Sequence, residues 1–289
     1  MISLARVVAI AGLSFLLGGC GLTLQQKAAV QRFATTTSTF ATLSSAEFVT
    51  SRRDLIEMNM LRVQLGDDAV TPDRVDTLFT VDRVKARVDA VAALKDYGEL
   101  LNALATNSQT SELMNAADGF VGSLRKVPGV GLSDEKAAVI STVVQQVGGL
   151  IVEYMRAKAI QEVVTTTHQP VLAVVEQVRR DFDLKADHWS LGYAVTIEGL
   201  KSAADIAARS PGAAAQAAVI GQARVLADQN KKRFDALATE LAASVSSLRE
   251  AQITLRHAVQ SRDISIEEIQ SYAARIEDLV KVYKILRAP

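Results

Sequence analysis

Apolar residues recur at helical spacing along almost the whole chain, and the breaks in that spacing divide it into long helices. Phe33, Phe40, Leu43, Phe48, Leu55, Ile56 and Met60 predict a first helix over about 24–65, although its Ser/Thr-rich stretch at 35–51 has modest helix propensity and must rely on tertiary packing. Gly66-Asp67-Asp68 ends it. Thr71 and Pro72 then supply a capping hydroxyl and a proline suited to a first helical turn. Val81, Val84, Val88 and Val91 mark an apolar stripe that continues through Tyr97, Leu101 and Leu104. An interruption falls at 106–111, before Leu113, Met114, Phe120, Val121 and Leu124 resume the pattern.

Val127-Pro128-Gly129-Val130-Gly131 is the clearest turn, and Ser133 is the expected N-cap of the next helix, with Asp134 and Glu135 in its first turn. Ile140, Val143, Val147, Ile151 and Tyr154 carry that stripe. A kink or break is expected at Thr165-Thr166-Thr167-His168-Gln169-Pro170, followed by helix to about residue 209 that buries Phe182, Trp189, Tyr193, Ile197 and Leu200. Ser210-Pro211 repeats the cap-then-proline signal. Phe234, Leu241, Leu248 and Leu255 then fall seven apart, with Leu237, Val245 and Val259 between them, forming a heptad-like seam. Ser265 and Glu268 form a capping box flanked by Ile264 and Ile269, opening a last helix to about residue 287. Helices of 40 to 50 residues would be about 60–75 Å long. The fold class that follows is all-α: an elongated antiparallel bundle of five or six long helices, occupying residues 24–289.

Composition narrows the picture. Hydrophobic residues make up 49% of the chain but aromatics only 5%, as suits helices in close contact over long faces. Acidic and basic residues balance at 32 each, so neither nucleic acid nor an anionic membrane surface is an expected electrostatic partner. The basic runs Arg52-Arg53, Arg179-Arg180 and Lys231-Lys232-Arg233 are expected on solvated helix faces.

Residues 1–19 follow a different pattern. Arg6 provides one positive charge, and 7–17 is an apolar run of the length of a signal-peptide core, too short for the about 20 residues that span a bilayer. Leu17-Gly18-Gly19-Cys20 follows, and this resembles the lipobox of bacterial lipoproteins. The resemblance implies cleavage before Cys20, a diacylglyceryl thioether on its sulfur and an acyl chain, such as palmitate, on the new amino terminus. Cys20 is the only cysteine, so no disulfide framework competes for it. Several acyl chains give durable anchoring where one does not. By the same resemblance Gly21, where inner-membrane proteins carry Asp, favours the outer membrane facing the periplasm. Residues 20–23 then form a lipidated terminus with a very short tether, which places the bundle close to the membrane.

The remaining motifs carry no chemistry. Pro128-Gly129-Val130-Gly131 resembles the turn of helix-hairpin-helix DNA-binding modules, but Ala137 lies six residues beyond Gly131, where those modules start their helix after about four. Ser133-Asp134-Glu135-Lys136 fits a Ser-x-x-Lys pattern without the Lys-Thr-Gly strand it requires, so capping explains Ser133 better. His168, His188 and His257 are isolated and read as surface or helix-end residues. Trp189 and Tyr193 read as core and not as a ligand platform, while Gly148-Gly149 and the alanine-rich 213–218 read as sites of close helix approach. No catalytic, cofactor or metal site is expected. The expected function is non-enzymatic: a lipid-anchored envelope protein that binds another envelope protein. The alternative is a membrane-active helical protein resembling α-helical pore formers, suggested by the apolar segment at 137–155.

Overall fold

The computed structural model describes residues 22–66, 70–106, 109–148, 153–183, 189–261 and 266–287, and the described residues are helical with no strand among them. Their first helix, α1 (Leu24–Leu65), is the spine on which the others are arranged. Two rows of α1 are buried from end to end: Gln26, Phe33, Phe40, Glu47, Asp54 and Leu61, and Val30, Thr37, Ser44, Ser51, Met58 and Leu65. Each row repeats every seven residues, the spacing that keeps one seam facing its partners. The hydroxyls of Thr37, Ser44 and Ser51 take the narrow places in it, and packing overrides their weak helix propensity. Thr23 and Gln26 close a capping box at the start, and the Gly66 amide donates to the Arg62 carbonyl at 3.3 Å at the end.

Eight further helices follow among the described residues: α2 (Pro72–Val75), α3 (Val81–Ala105), α4 (Thr110–Lys126), α5 (Asp134–Gly148), α6 (Glu153–Phe182), α7 (Trp189–Ala207), α8 (Ala217–Gln260) and α9 (Glu267–Arg287). The expected all-helical bundle forms. At 42 and 44 residues, α1 and α8 are each about 65 Å long. They run antiparallel: the Gln26 amide donates to the Ala258 carbonyl at 2.6 Å near one end, and Arg233 reaches Glu47 and Asp54 farther along. Helix α3 is also antiparallel to α1, joined by Gln31 to the Ala105 carbonyl and Arg52 to the Phe79 carbonyl. Helix α9 runs with α1, setting Tyr272 against Phe33 and Tyr283 against Glu47. Helices α4 and α5 pack outside α3 and α6, and α7 lies between α1 and α8.

Several boundaries depart from the sequence reading. The helix expected from Pro72 is a single turn, because Arg52 binds both Asp76, at 2.6 Å, and the Phe79 carbonyl, at 3.0 Å, holding the chain in a series of bends until Thr80 caps α3. Val81 and Tyr154, assigned to apolar stripes, are exposed; Met60 is exposed too, while Met58 and Leu61 fill the core. Helix α6 passes through Pro170, whose ring is buried, and ends at Phe182 instead of running on toward 209. The Ser190 hydroxyl there donates to the Asp181 carbonyl at 3.1 Å, tying the start of α7 to the last turn of α6. The Ser210 hydroxyl donates backwards to the Ala207 carbonyl, so it closes α7, and α8 begins only at Ala217. Ser265 of the expected capping box, His188 and Gly149 lie outside the described residues.

At Gly98 the backbone of α3 comes close against α1. A Cβ there would sit 2.5 Å from the Ser38 hydroxyl oxygen and 2.6 Å from the Ala34 carbonyl oxygen. Alanine is favoured over glycine by about 1 kcal/mol within a helix, but overpacking costs about 1–3 kcal/mol. Gly98→Ala is therefore expected to lower the chemical-denaturation midpoint. Ser38→Ala should rescue it only in part, because the Ala34 backbone clash remains.

Candidate functional site

The charged residues Glu47 and Asp54 occupy the same heptad row of α1 as Phe33 and Phe40, and both are buried. Isolated charges there would be strongly unfavourable. Arg233 of α8 meets both: one guanidinium nitrogen lies 2.5 Å from Glu47 Oε2, and the other bonds Asp54 Oδ2. The Tyr283 hydroxyl, from α9, donates within 3.1 Å of Glu47 Oε2, and the Ser51 hydroxyl donates to Oε1 at 2.8 Å. Tyr193 of α7 places its hydroxyl 3.3 Å from Asp54 Oδ2. Four helices thus converge on one ionic cluster.

Burial pushes the Glu47 carboxyl above its ordinary value, opposed by the Arg233 charge and by its hydrogen bonds to Ser51, Arg233 and Tyr283. The Tyr193 hydroxyl is also pushed up, first by burial and then by the Asp54 charge. Burial alone would lower Arg233, but Glu47, Tyr193 and Asp54 outweigh it and hold the guanidinium protonated. Both oxygens of Glu47 are occupied by fixed donors. That arrangement suits a strut tying α8 and α9 to α1 better than a base awaiting a proton.

The cluster forms one wall of an open groove of about 780 Å³ between α1, α8 and α9. Arg53, Glu57, Gln229 and Lys232 border the groove, and Leu226, Leu237 and Leu286 give it apolar surface. Three carboxylates face three cations in its lining, so charge balances. Asn230 also lines it; the residue is only 6% exposed, and its side-chain nitrogen has no partner. The groove is therefore a charge-balanced surface of mixed polar and apolar character, with that amide shut inside its wall.

The residues singled out from the sequence are placed less functionally. Cys20 lies outside the described residues. Trp189 and Tyr193 are core residues: Trp189 packs with Phe48, Phe182, Tyr193 and Phe234 at centroid distances of 5.3–6.1 Å. Ser133 accepts from the Lys136 amide at 3.3 Å as an N-cap, and Gly129 adopts a φ of 75° in the turn before it, with the Pro128 carbonyl bound by Gln177. Arg233 corrects the solvated reading of its basic run, and Arg52 is drawn into its own ion pair with Asp76. Among the described residues no three potential metal ligands cluster, and no helix is long and apolar enough to cross a membrane.

His168 is a further correction, since it is buried on α6 instead of lying at the surface, whereas His257 is exposed. Burial, then the charges of Arg256 and His257, lower its pKa below the ordinary 6.5. The unfolded chain then binds this proton more readily than the folded one. The stabilising contribution is complete above about pH 6.5 and is lost as pH falls below it. His168→Gln is expected to flatten this part of the stability profile between pH 7.5 and 5.5, read by urea midpoints at each pH.

Comparison with known protein families, curated proteins and solved structures finds no match to this chain.

Proposed function

We propose that the protein is a lipid-anchored bacterial envelope protein whose helical bundle binds another envelope protein without performing catalysis. The Leu17-Gly18-Gly19-Cys20 sequence motivates the anchor, and by the same resemblance the outer membrane facing the periplasm is the proposed site. The observation that carries the binding role is the open, charge-balanced groove beside Arg233, with apolar surface from Leu226, Leu237 and Leu286. A docked segment carrying both polar and apolar side chains would fit that surface, and the balanced charges along the border provide register more than long-range attraction. The membrane-active alternative draws less support. Its apolar segment divides between α5 and α6, and Ala137, Ile140, Val144 and Val147 are buried against the bundle's own core.

Photo-crosslinking amino acids at Glu57, Gln229 and Lys232, with control positions on α5, provide the test in native envelopes. One protein recovered from the groove positions and absent from the controls is the expected result. Recovery of only abundant bystanders from both sets would sink the reading. Dye leakage from vesicles exposed to a Cys20→Ser mature form would move the membrane-active alternative ahead of it.

A further inference from the structure

Resting on the lipid-anchor reading, a second interface follows from covalent reach. Two residues separate Cys20 from Thr23, and an extended chain advances at most about 3.6 Å per step, so over three steps the Cys20 Cα stays within about 11 Å of the Thr23 Cα in any tether conformation. The cap itself is fixed. Thr23 and Gln26 bond each other reciprocally, and the Gln26 side chain also donates to the Ala258 and Ser261 carbonyls at 2.6 and 3.0 Å, locking the start of α1 to the end of α8. An anchor at Cys20 therefore holds this end of the bundle at the bilayer.

The surface at that end fits the role. Leu24 is 88% exposed, and Tyr154, at the start of α6, is 47% exposed. They belong to one patch, because Lys27, one turn after Leu24, pairs with Glu153 at 3.2 Å. A bare leucine and a tyrosine beside a lysine suit the headgroup boundary, where rings sit with their polar tips in water and an ammonium stays hydrated. We infer that the bundle end formed by Leu24, Lys27, Glu153 and Tyr154 rests on the lipid bilayer surface, with Leu24 and Tyr154 inserted into its interfacial layer. Helix α1 leads away from that contact, and Leu65 lies about 60 Å along it from Leu24. The exposed apolar residues Ile206 and Val225 belong to the opposite end, where Asp205 pairs with Arg224, and are held off the membrane.

Cys20 is the only cysteine, so once its sulfur is a thioether an introduced cysteine is the one free thiol. Mature protein purified from membranes, carrying Leu24→Cys, Tyr154→Cys, Ile206→Cys or Val225→Cys labelled with an environment-sensitive fluorophore, would be reconstituted into phosphatidylethanolamine–phosphatidylglycerol vesicles containing shallow nitroxide-labelled lipid. Labels at 24 and 154 are expected to be quenched several-fold more than those at 206 and 225. Equal quenching at both ends, or stronger quenching at 206 and 225, overturns the orientation. Mass spectrometry of the N-terminal peptide separates the two failures. A lipidated Cys20 with the wrong quenching pattern sinks only the orientation, whereas an unmodified Cys20 removes the anchor reading and this inference together.

Discussion

Replacing Arg233 by methionine is expected to destabilise the bundle by about 3–5 kcal/mol, because it leaves Glu47 and Asp54 buried without their shared cation. In a chain of this size that corresponds to a fall in melting temperature of about 10 °C. The guanidinium is only 20% exposed and the Glu47 side chain 3%, so solvent offers little compensation. Burial already raises the Glu47 carboxyl, and removing Arg233 takes away the charge that opposes it. A carboxyl raised above its unfolded value destabilises as pH rises through that interval. The variant should therefore regain part of its loss, relative to the parent, as pH is lowered from neutral toward the unfolded carboxylate value. Adding Glu47→Gln and Asp54→Asn to Arg233→Met should restore much of the stability, since a buried ion pair replaced as a whole costs far less than one broken in half. Circular dichroism melts of the single and triple variants at two pH values make the comparison. A single variant as stable as the parent would show that the cluster is not the strut described.

Trp189→Ala is the second large effect, expected to cost about 3–5 kcal/mol by opening a cavity in the core. The indole is central to the aromatic cluster that joins α1, α6, α7 and α8: it lies edge-on to Phe48 and Phe182, stacks on Tyr193 and is tilted against Phe234. Phe48 and Phe182 stack on each other at 5.2 Å, so loss of the indole exposes that pair as well. Trp189→Phe should be much milder. It keeps most of the ring volume and removes an indole nitrogen that is buried without a partner, a group whose desolvation opposes folding. Denaturation followed by circular dichroism distinguishes the two; equal losses would mean that the nitrogen has a stabilising role.

The helical character and several helix ends were legible because they depend on neighbouring residues. Gly66, Ser133 and the Val127-Pro128-Gly129 turn act within a few positions of themselves, and the heptads at Phe234, Leu241, Leu248 and Leu255 identify a buried face without reference to what covers it. No break occurs at Pro170, and Ser210 was misread, for the complementary reason. A proline is tolerated where surrounding packing holds the helix, and a serine caps whichever helix end its hydroxyl reaches. The ionic cluster left a signal that went unused: Glu47 and Asp54 continue the register of Phe33 and Phe40. Periodicity could have marked those carboxylates as buried, but it could not identify Arg233, 186 and 179 positions away, as their partner.

That separation also sets an order of events. A chain synthesised from its amino terminus delivers α1 first, with Glu47 and Asp54 already on the face that will become interior. Their counterion follows only with α8, the Tyr283 hydroxyl only with α9, and the Ala258 carbonyl that secures Gln26 arrives 232 residues behind it. Until then α1 lacks the partners that make its seam tolerable in a dry core, and contacts this distant in sequence close late. The first helix to emerge is thus among the last to be completed, because its seam closes only when the carboxy-terminal third of the chain is available.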